Sequence, residues 1–315
     1  MVNLINRIIE NIAQIIAYWF SQEQLIRFSN KKVLLPFYHL VTDTPPTHIK
    51  NLYKHKTLNE FKEDLDYLLT HFKPITLKEL IEYHQTKKRI PYNCFHLTFD
   101  DGLSEFYHII APILIEKKIP ATIFLNNHFI DNKDLFFRYK ASILSDELYT
   151  DTVLNFNYQN KNDIDELAET FNISWDDYLA KHQPYLTTEQ INELIAQGFT
   201  IGAHSLDHPL YEELSLEEQI HQTITSIEDI KTRFNLDYAV FSFPFTDYKV
   251  NKKFFSSIKN KVDLTFGSAG IKDDEVAFNL QRLPMENKTN GEVNIKMAYS
   301  FYLLKKLILK NTIKR

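Results

Sequence analysis

Phe95-His96-Leu97-Thr98-Phe99-Asp100-Asp101-Gly102 is the stretch on which the fold turns. Aromatic, apolar and β-branched residues fill its first five positions, as in a short buried strand, and it ends in a turn-forming Asp-Gly pair. Two adjacent carboxylates at such a point repel each other. They are costly to desolvate unless a cation or several hydrogen bonds compensate. A second stretch is built alike: Phe199-Thr200-Ile201-Gly202-Ala203 runs into His204-Ser205-Leu206-Asp207-His208.

Working outward, Val33–Leu40, Ala121–Leu125, Tyr238–Pro244, Leu264–Gly267 and Phe278–Leu283 also read as strands. Periodic helical segments lie between them. Four open with a capping box, in which a hydroxyl and a Glu or Gln three residues on satisfy free amides: Thr57 with Glu60, Thr76 with Glu79, Thr187 with Gln190 and Ser215 with Glu218. Gly198 stands where a helix closes. Alternating strands and helices predict a mostly parallel sheet, open or closed into a barrel. Such folds place their sites at the carboxyl ends of the strands, which brings Asp100 and Asp101 to the same edge as His204 and His208.

The remaining features set limits. With 315 residues, 44% hydrophobic and 24% charged, the chain has an ordinary globular composition, as one large domain or two small ones. A net charge of −5 offers no attraction for nucleic acid. The single cysteine, Cys94, excludes an intramolecular disulfide and leaves His and carboxylate as the donors for any metal. Ile5, Ile8, Ile9, Ile12, Ile15, Ile16 and Trp19 fall on one face of an expected amphipathic helix in residues 1–30. Arg7, Glu10 and Gln14 interrupt that run, which argues against a cleaved export signal or a spanning helix.

Between Asp131 and Pro184 the strand rhythm disappears, and residues 131–185 are expected to form a partly helical insertion. Its Phe136-Phe137-Arg138-Tyr139-Lys140 segment lines a ligand cleft or packs as a lid on the core. At the other end, Tyr299 to Arg315 mixes apolar residues with Lys305, Lys306, Lys310, Lys314 and Arg315. Residues 291–315 are therefore expected to be a basic amphipathic helix, either docked on the domain or touching an anionic membrane surface. With no export signal, the expected location is cytoplasmic, peripheral to the inner face of the membrane.

Taken alone, an Asp-Gly turn or a histidine pair is an ordinary structural feature. Together at matching strand ends they make a two-histidine, one-carboxylate set with positions left open for water, the pattern of a hydrolytic metal. Pro209 disfavours helical geometry at His208, which places the pair on a tight loop.

In this order the TFDDG and HSxxH motifs, with Phe243-Pro244-Phe245 after a later strand, resemble the NodB-homology polysaccharide deacetylases, carbohydrate esterase family 4. The similarity runs from Val33 to Pro284 and includes Phe37-Tyr38-His39 and Ile119-Pro120-Ala121-Thr122. The resemblance implies an α/β fold, a distorted (β/α) barrel of about seven strands within residues 31–290. It also implies a divalent metal ion of the zinc type on Asp101, His204 and His208, with Asp100 as general base and the Phe245 backbone amide as oxyanion donor. Pro244, Arg138 and Arg282 are the expected substrate contacts.

Two positions depart from the family pattern. Ser242 stands where an arginine often orients the catalytic aspartate, and no histidine follows His221 to act as the usual general acid. His128 and His39 are the candidates for that proton donor. The expected activity is removal of acetyl groups from N-acetylated sugars of a polysaccharide or its lipid-linked precursor. An O-acetyl esterase, a deformylase and a sugar-binding protein without turnover are the alternatives.

Overall fold

The computed structural model describes residues 2–86, 90–288 and 290–315, with side chains from residue 9 onward. Eight strands form one parallel sheet: β1 (Pro36–Tyr38), β2 (Leu97–Phe99), β3 (Ala121–Leu125), β4 (Thr200–Ala203), β5 (Val240–Ser242), β6 (Leu264–Gly267), β7 (Asn279–Gln281) and β8 (Leu283–Pro284). Their order is β7-β6-β5-β4-β3-β2-β1-β8. Consecutive strands are neighbours, as in a (β/α) barrel, and all carboxyl ends emerge on one rim.

All seven expected strand segments are present, and the last contributes two strands. Gln281 pairs with Gly267 on one edge of the sheet while Leu283 pairs with Pro36 on the other. Only Arg282 separates them, so a single peptide segment joins the two edges and nearly closes the barrel. The Arg282 amide still donates to the Gly267 carbonyl at 3.1 Å, and the Leu283 amide to that of Leu35 at 2.8 Å. This change of partner aims the Arg282 side chain into the barrel, between the rings of Phe37 and Phe124. Gly202 makes room for that filling, because a Cβ there would lie 2.4 Å from the Phe124 ring.

Helices cover the outside, and the four expected capping boxes form. Each side-chain cap is worth about 1 kcal/mol to its helix. An additional box, Ser21 with Gln24, starts a second N-terminal helix, Gln22–Ser29, after the first, Val2–Trp19. The first helix packs through Ala13 and Ala17 against Met297, Phe301 and Leu304. Ile12, Ile15 and Trp19, expected on its apolar face, are exposed. The side chains of Ile5 and Ile8 lie outside the described residues.

The C-terminal expectation needs correction. The helix runs Gly291–Leu307, and Thr312–Ile313 then pairs with Asp273–Asp274. Arg315 ends buried, bonded to Asp247 and Asp274. Two buried carboxylates hold that guanidinium, so residues 299–315 cannot form one free amphipathic helix. Among the described residues no helix is long and apolar enough to cross a membrane.

The insertion is helical in Phe137–Glu147, Asn162–Thr170 and Trp175–His182. It builds its own apolar cluster around Leu135, Phe136, Tyr139 and Leu144. That cluster lies on the rim where the strands end, with Phe136 against the ring of His208.

Candidate active site and metal centre

Asp100 and Asp101 follow β2 directly. Asp101 and Gly102 both take left-handed backbone angles, φ +71° and +64°. That tight turn separates the two carboxylates into different environments. A Cβ at Gly102 would stand 2.7 Å from Leu125 Cδ2, so the turn needs glycine for space as well as for its backbone angle.

Asp101 meets both histidines. Its Oδ1 lies 3.5 Å from His204 Nε2 and 3.2 Å from His208 Nε2. Tyr139, from the insertion, donates its hydroxyl to Oδ2 at 2.9 Å. His204 is oriented by β5, with Nδ1 2.8 Å from the Ser242 carbonyl; that bond leaves Nε2 as the free lone pair. Burial holds the His208 imidazole below its usual pKa, keeping it neutral, the form that ligates metals. Asp101 is held well below the usual carboxylate range: burial opposes this, and the two histidines outweigh it.

The donor set fits a metal. The three ligand atoms lie within 4.8 Å of one another, all on buried residues. Asp101 Oδ1 and His208 Nδ1 are buried with no hydrogen-bond partner among the described residues. An unpartnered carboxylate oxygen facing two imidazoles is costly until a cation arrives. One carboxylate and two imidazoles suit a divalent ion of the zinc type and leave coordination positions open.

Asp100, next to Asp101, has a different partner. Arg282 grips it through two parallel bonds, Nη1 to Oδ1 at 2.8 Å and Nη2 to Oδ2 at 2.7 Å. The same guanidinium donates to Thr98 Oγ1 at 2.9 Å and Ser242 Oγ at 2.6 Å. Burial raises the Asp100 pKa, but the charge of Arg282 prevails and the carboxyl sits below its usual range. This corrects the expectation for Arg282: it is 1% exposed and positions Asp100, with no face left for substrate. It also accounts for Ser242, whose small side chain leaves the space that the guanidinium enters from the opposite wall.

His39, at the end of β1, reaches the same rim. Glu286 takes its backbone amide at 2.7 Å and its Nδ1 at 2.7 Å. Burial pushes the His39 pKa down, yet the Glu286 carboxylate more than offsets it and the imidazole is raised from 6.5 to about 9. Its ring packs on Tyr53, whose hydroxyl meets that of Tyr139 at 3.0 Å. His128 does not join them. Its side chain is exposed, and only its backbone takes part, bracing the histidine loop through Leu206 at 3.0 Å. Of the two candidate proton donors, only His39 is in place.

Phe245 has φ +56° and is 44% exposed, with its ring edge on His208. Its amide has no acceptor among the described residues. Pro244 is buried behind it and shapes the turn, contrary to the expectation of a substrate contact. Arg138 is half-buried and without an ionic partner among the described residues.

Tyr139 comes from the segment expected to line a ligand cleft or to pack as a lid, and the parts played by Tyr53, Glu286 and Asp207 were not foreseen. Tyr53, Tyr139 and Glu286 carry no motif. Asp207, inside HSxxH, is held by Tyr158 at 2.8 Å and Lys161 at 2.7 Å from the insertion, and by Gln222 at 2.8 Å. The insertion therefore fastens the loop that carries both histidines.

Comparison with known proteins agrees with this geometry. Poly-beta-1,6-N-acetyl-D-glucosamine N-deacetylase of Staphylococcus aureus (strain MSSA476) is 30% identical over 141 residues, 41% of this chain and 47% of that protein. The chain thus spans about half the length of the curated relatives it matches. Among solved structures, Streptococcus pyogenes deacetylase PplD in complex with acetate superposes with a TM-score of 0.60 at 14% identity, covering 85% of this chain and 98% of that one. IcaB from Ammonifex degensii gives 0.57 at 16% identity, covering 86% and 97%. At such identities these two speak for the barrel alone. The polysaccharide deacetylase profile, however, matches residues 87–264, more than half of the sequence and the span from the Asp-Asp turn through the histidine loop to the Phe-Pro-Phe turn. A motif-bearing match of that extent means that the chain belongs to the polysaccharide deacetylase family.

Proposed function

We propose that this protein is a metal-dependent deacetylase that hydrolyses the N-acetyl groups of sugars in a polysaccharide or its lipid-linked precursor. One observation carries the proposal: an ionised, unligated carboxylate, Asp100, lies beside a buried carboxylate–imidazole–imidazole set whose Asp101 oxygen lacks a partner. A divalent ion held by Asp101, His204 and His208 would supply Lewis acidity toward the acetyl carbonyl and make water more acidic.

The chain's own groups do the remaining work. Asp100, kept ionised and fixed by Arg282, accepts the proton of the attacking water. Phe245 N–H, free at a turn on the rim, donates to the developing oxyanion; such a donor contributes about a hundredfold to a thousandfold in rate. His39, held protonated by Glu286, gives its proton to the departing amine. The bidentate Arg282 contact supplies the guanidinium that the family resemblance would place at position 242.

Acetate release from N-acetylglucosamine oligomers tests this. The unsubstituted protein should release acetate, and Asp100→Asn should lose at least about a hundredfold. Equal rates in the two would end the proposal. Parallel assays on an O-acetylated sugar separate amide from ester hydrolysis, with the amide expected to be preferred.

A further inference from the structure

A groove of about 400 Å³ lies between the first helix, the loop after β6, the segment after β8 and the C-terminal helix. Its floor is apolar: Leu283, Met297, Ala298 and Phe301. Lysines edge it, namely Lys272, Lys288 and Lys305, against a single carboxylate, Glu10. None of the three lysines forms an ion pair or side-chain hydrogen bond among the described residues, so the edge carries uncompensated positive charge. An apolar trough with a cationic lip is complementary to an apolar chain that bears an anion.

Both walls lead into the catalytic rim. Ser268, in one wall, donates to the Phe245 carbonyl at 3.1 Å. Pro284, in the other, stands two residues before Glu286, the partner of His39, and Lys288 stands two residues after it. The opposite end is marked by Lys305, just ahead of Leu307, Ile308 and Leu309, which are 81%, 53% and 89% exposed. Those three apolar side chains lie among Lys305, Lys306 and Lys310. The trough thus connects the acetyl-cleaving rim to a cationic, apolar surface.

We infer that the groove holds the lipid chain and phosphate of a lipid-linked N-acetylated sugar, with the phosphate at Lys288 and Lys272 and the sugar at Asp100 and Asp101. This inference rests on the deacetylase proposal for the identity of the sugar. The binding of the lipid is a separate property and is measured separately.

The test is calorimetric binding of farnesyl phosphate, below its aggregation concentration, to the full chain and to three variants. Ala298→Trp fills the trough, and Lys272→Glu with Lys288→Glu reverses its lip. Each should weaken farnesyl phosphate binding at least tenfold, whereas Asp100→Asn should bind it as the unsubstituted protein does. In a series of alkyl phosphates, affinity should rise about tenfold for every two methylenes buried. Binding of inorganic phosphate as strong as that of farnesyl phosphate would overturn the inference. So would binding to anionic vesicles only, or affinity unchanged in both groove variants. If the deacetylase proposal fails but the groove does not, acetate release is absent while farnesyl phosphate still binds. The converse failure leaves acetate release intact with no lipid binding.

Discussion

Replacing Arg282 by methionine removes the guanidinium but keeps most of the apolar stem between Phe37 and Phe124. The variant loses two charge-assisted bonds to one carboxylate, at 2.8 and 2.7 Å, each worth about 1.5–3 kcal/mol. Because Arg282 is 1% and Asp100 3% exposed, solvent screens little of this. The sum agrees with the roughly 3–5 kcal/mol expected when one partner of a buried ion pair is removed. That is a large part of the total stability of a typical domain, about 5–15 kcal/mol. If half of the loss appears as misalignment of Asp100, kcat/KM for acetate release falls about 10-fold to 100-fold. Asp100 would also lose the charge that keeps its pKa low while remaining buried, so the acid limb of the kcat/KM profile moves to higher pH. Arg282→Lys, which keeps a charge but not the fork, should fall between the two. Moving the guanidinium, Ser242→Arg with Arg282→Ser, should recover at least about tenfold over Arg282→Ser alone, since the two sites share one carboxylate. A methionine variant with kcat/KM within about threefold of the unsubstituted protein and an unmoved acid limb would refute the reasoning.

Four further outcomes follow from the same geometry. His39, raised to about 9 by Glu286, should give an alkaline limb near that pH in kcat/KM, and Glu286→Gln should move the limb downward. The same pair contributes stability that is fully present below the unfolded pKa of 6.5 and is lost as pH rises through about 9, measurable by urea denaturation across that window. Freeing Asp207 with Tyr158→Phe and Lys161→Met should weaken Zn2+ binding, followed by calorimetry, about 10-fold to 100-fold with little loss of secondary structure. Gly102→Ala forces a Cβ into a left-handed position 2.7 Å from Leu125 Cδ2 and should cost about 1–3 kcal/mol in denaturant unfolding.

Strand-end motifs were legible because their chemistry is local: Asp100-Asp101-Gly102 and His204 to His208 each lie on one tight turn, and parallel strands bring the turns to one rim. Capping boxes were legible for the same reason. Arg282 was visible as a residue but misread, because its role depends on a change of strand partner that joins residues 184 and 182 positions away, Thr98 and Asp100. Glu286 was illegible for a related reason, and Tyr139 was legible only as part of a segment that lines a cleft or packs as a lid, not as the partner of Asp101. Each contacts the site across a long sequence separation, and a lone glutamate or tyrosine has no pattern of its own. The C-terminal segment misled because alternating lysine and leucine describe an amphipathic helix equally well when its apolar side rests on another helix. The helix ends at Leu307, and the segment beyond it pairs as a strand through Thr312–Ile313 and anchors Arg315 on Asp247 and Asp274.

The most direct test of the metal-centre account is to strip the protein with a chelator, titrate Zn2+ back and follow acetate release from N-acetylglucosamine oligomers. The account predicts no release from the stripped protein and full recovery at one equivalent, with no recovery in His208→Ala. Undiminished acetate release from the fully stripped protein would contradict it.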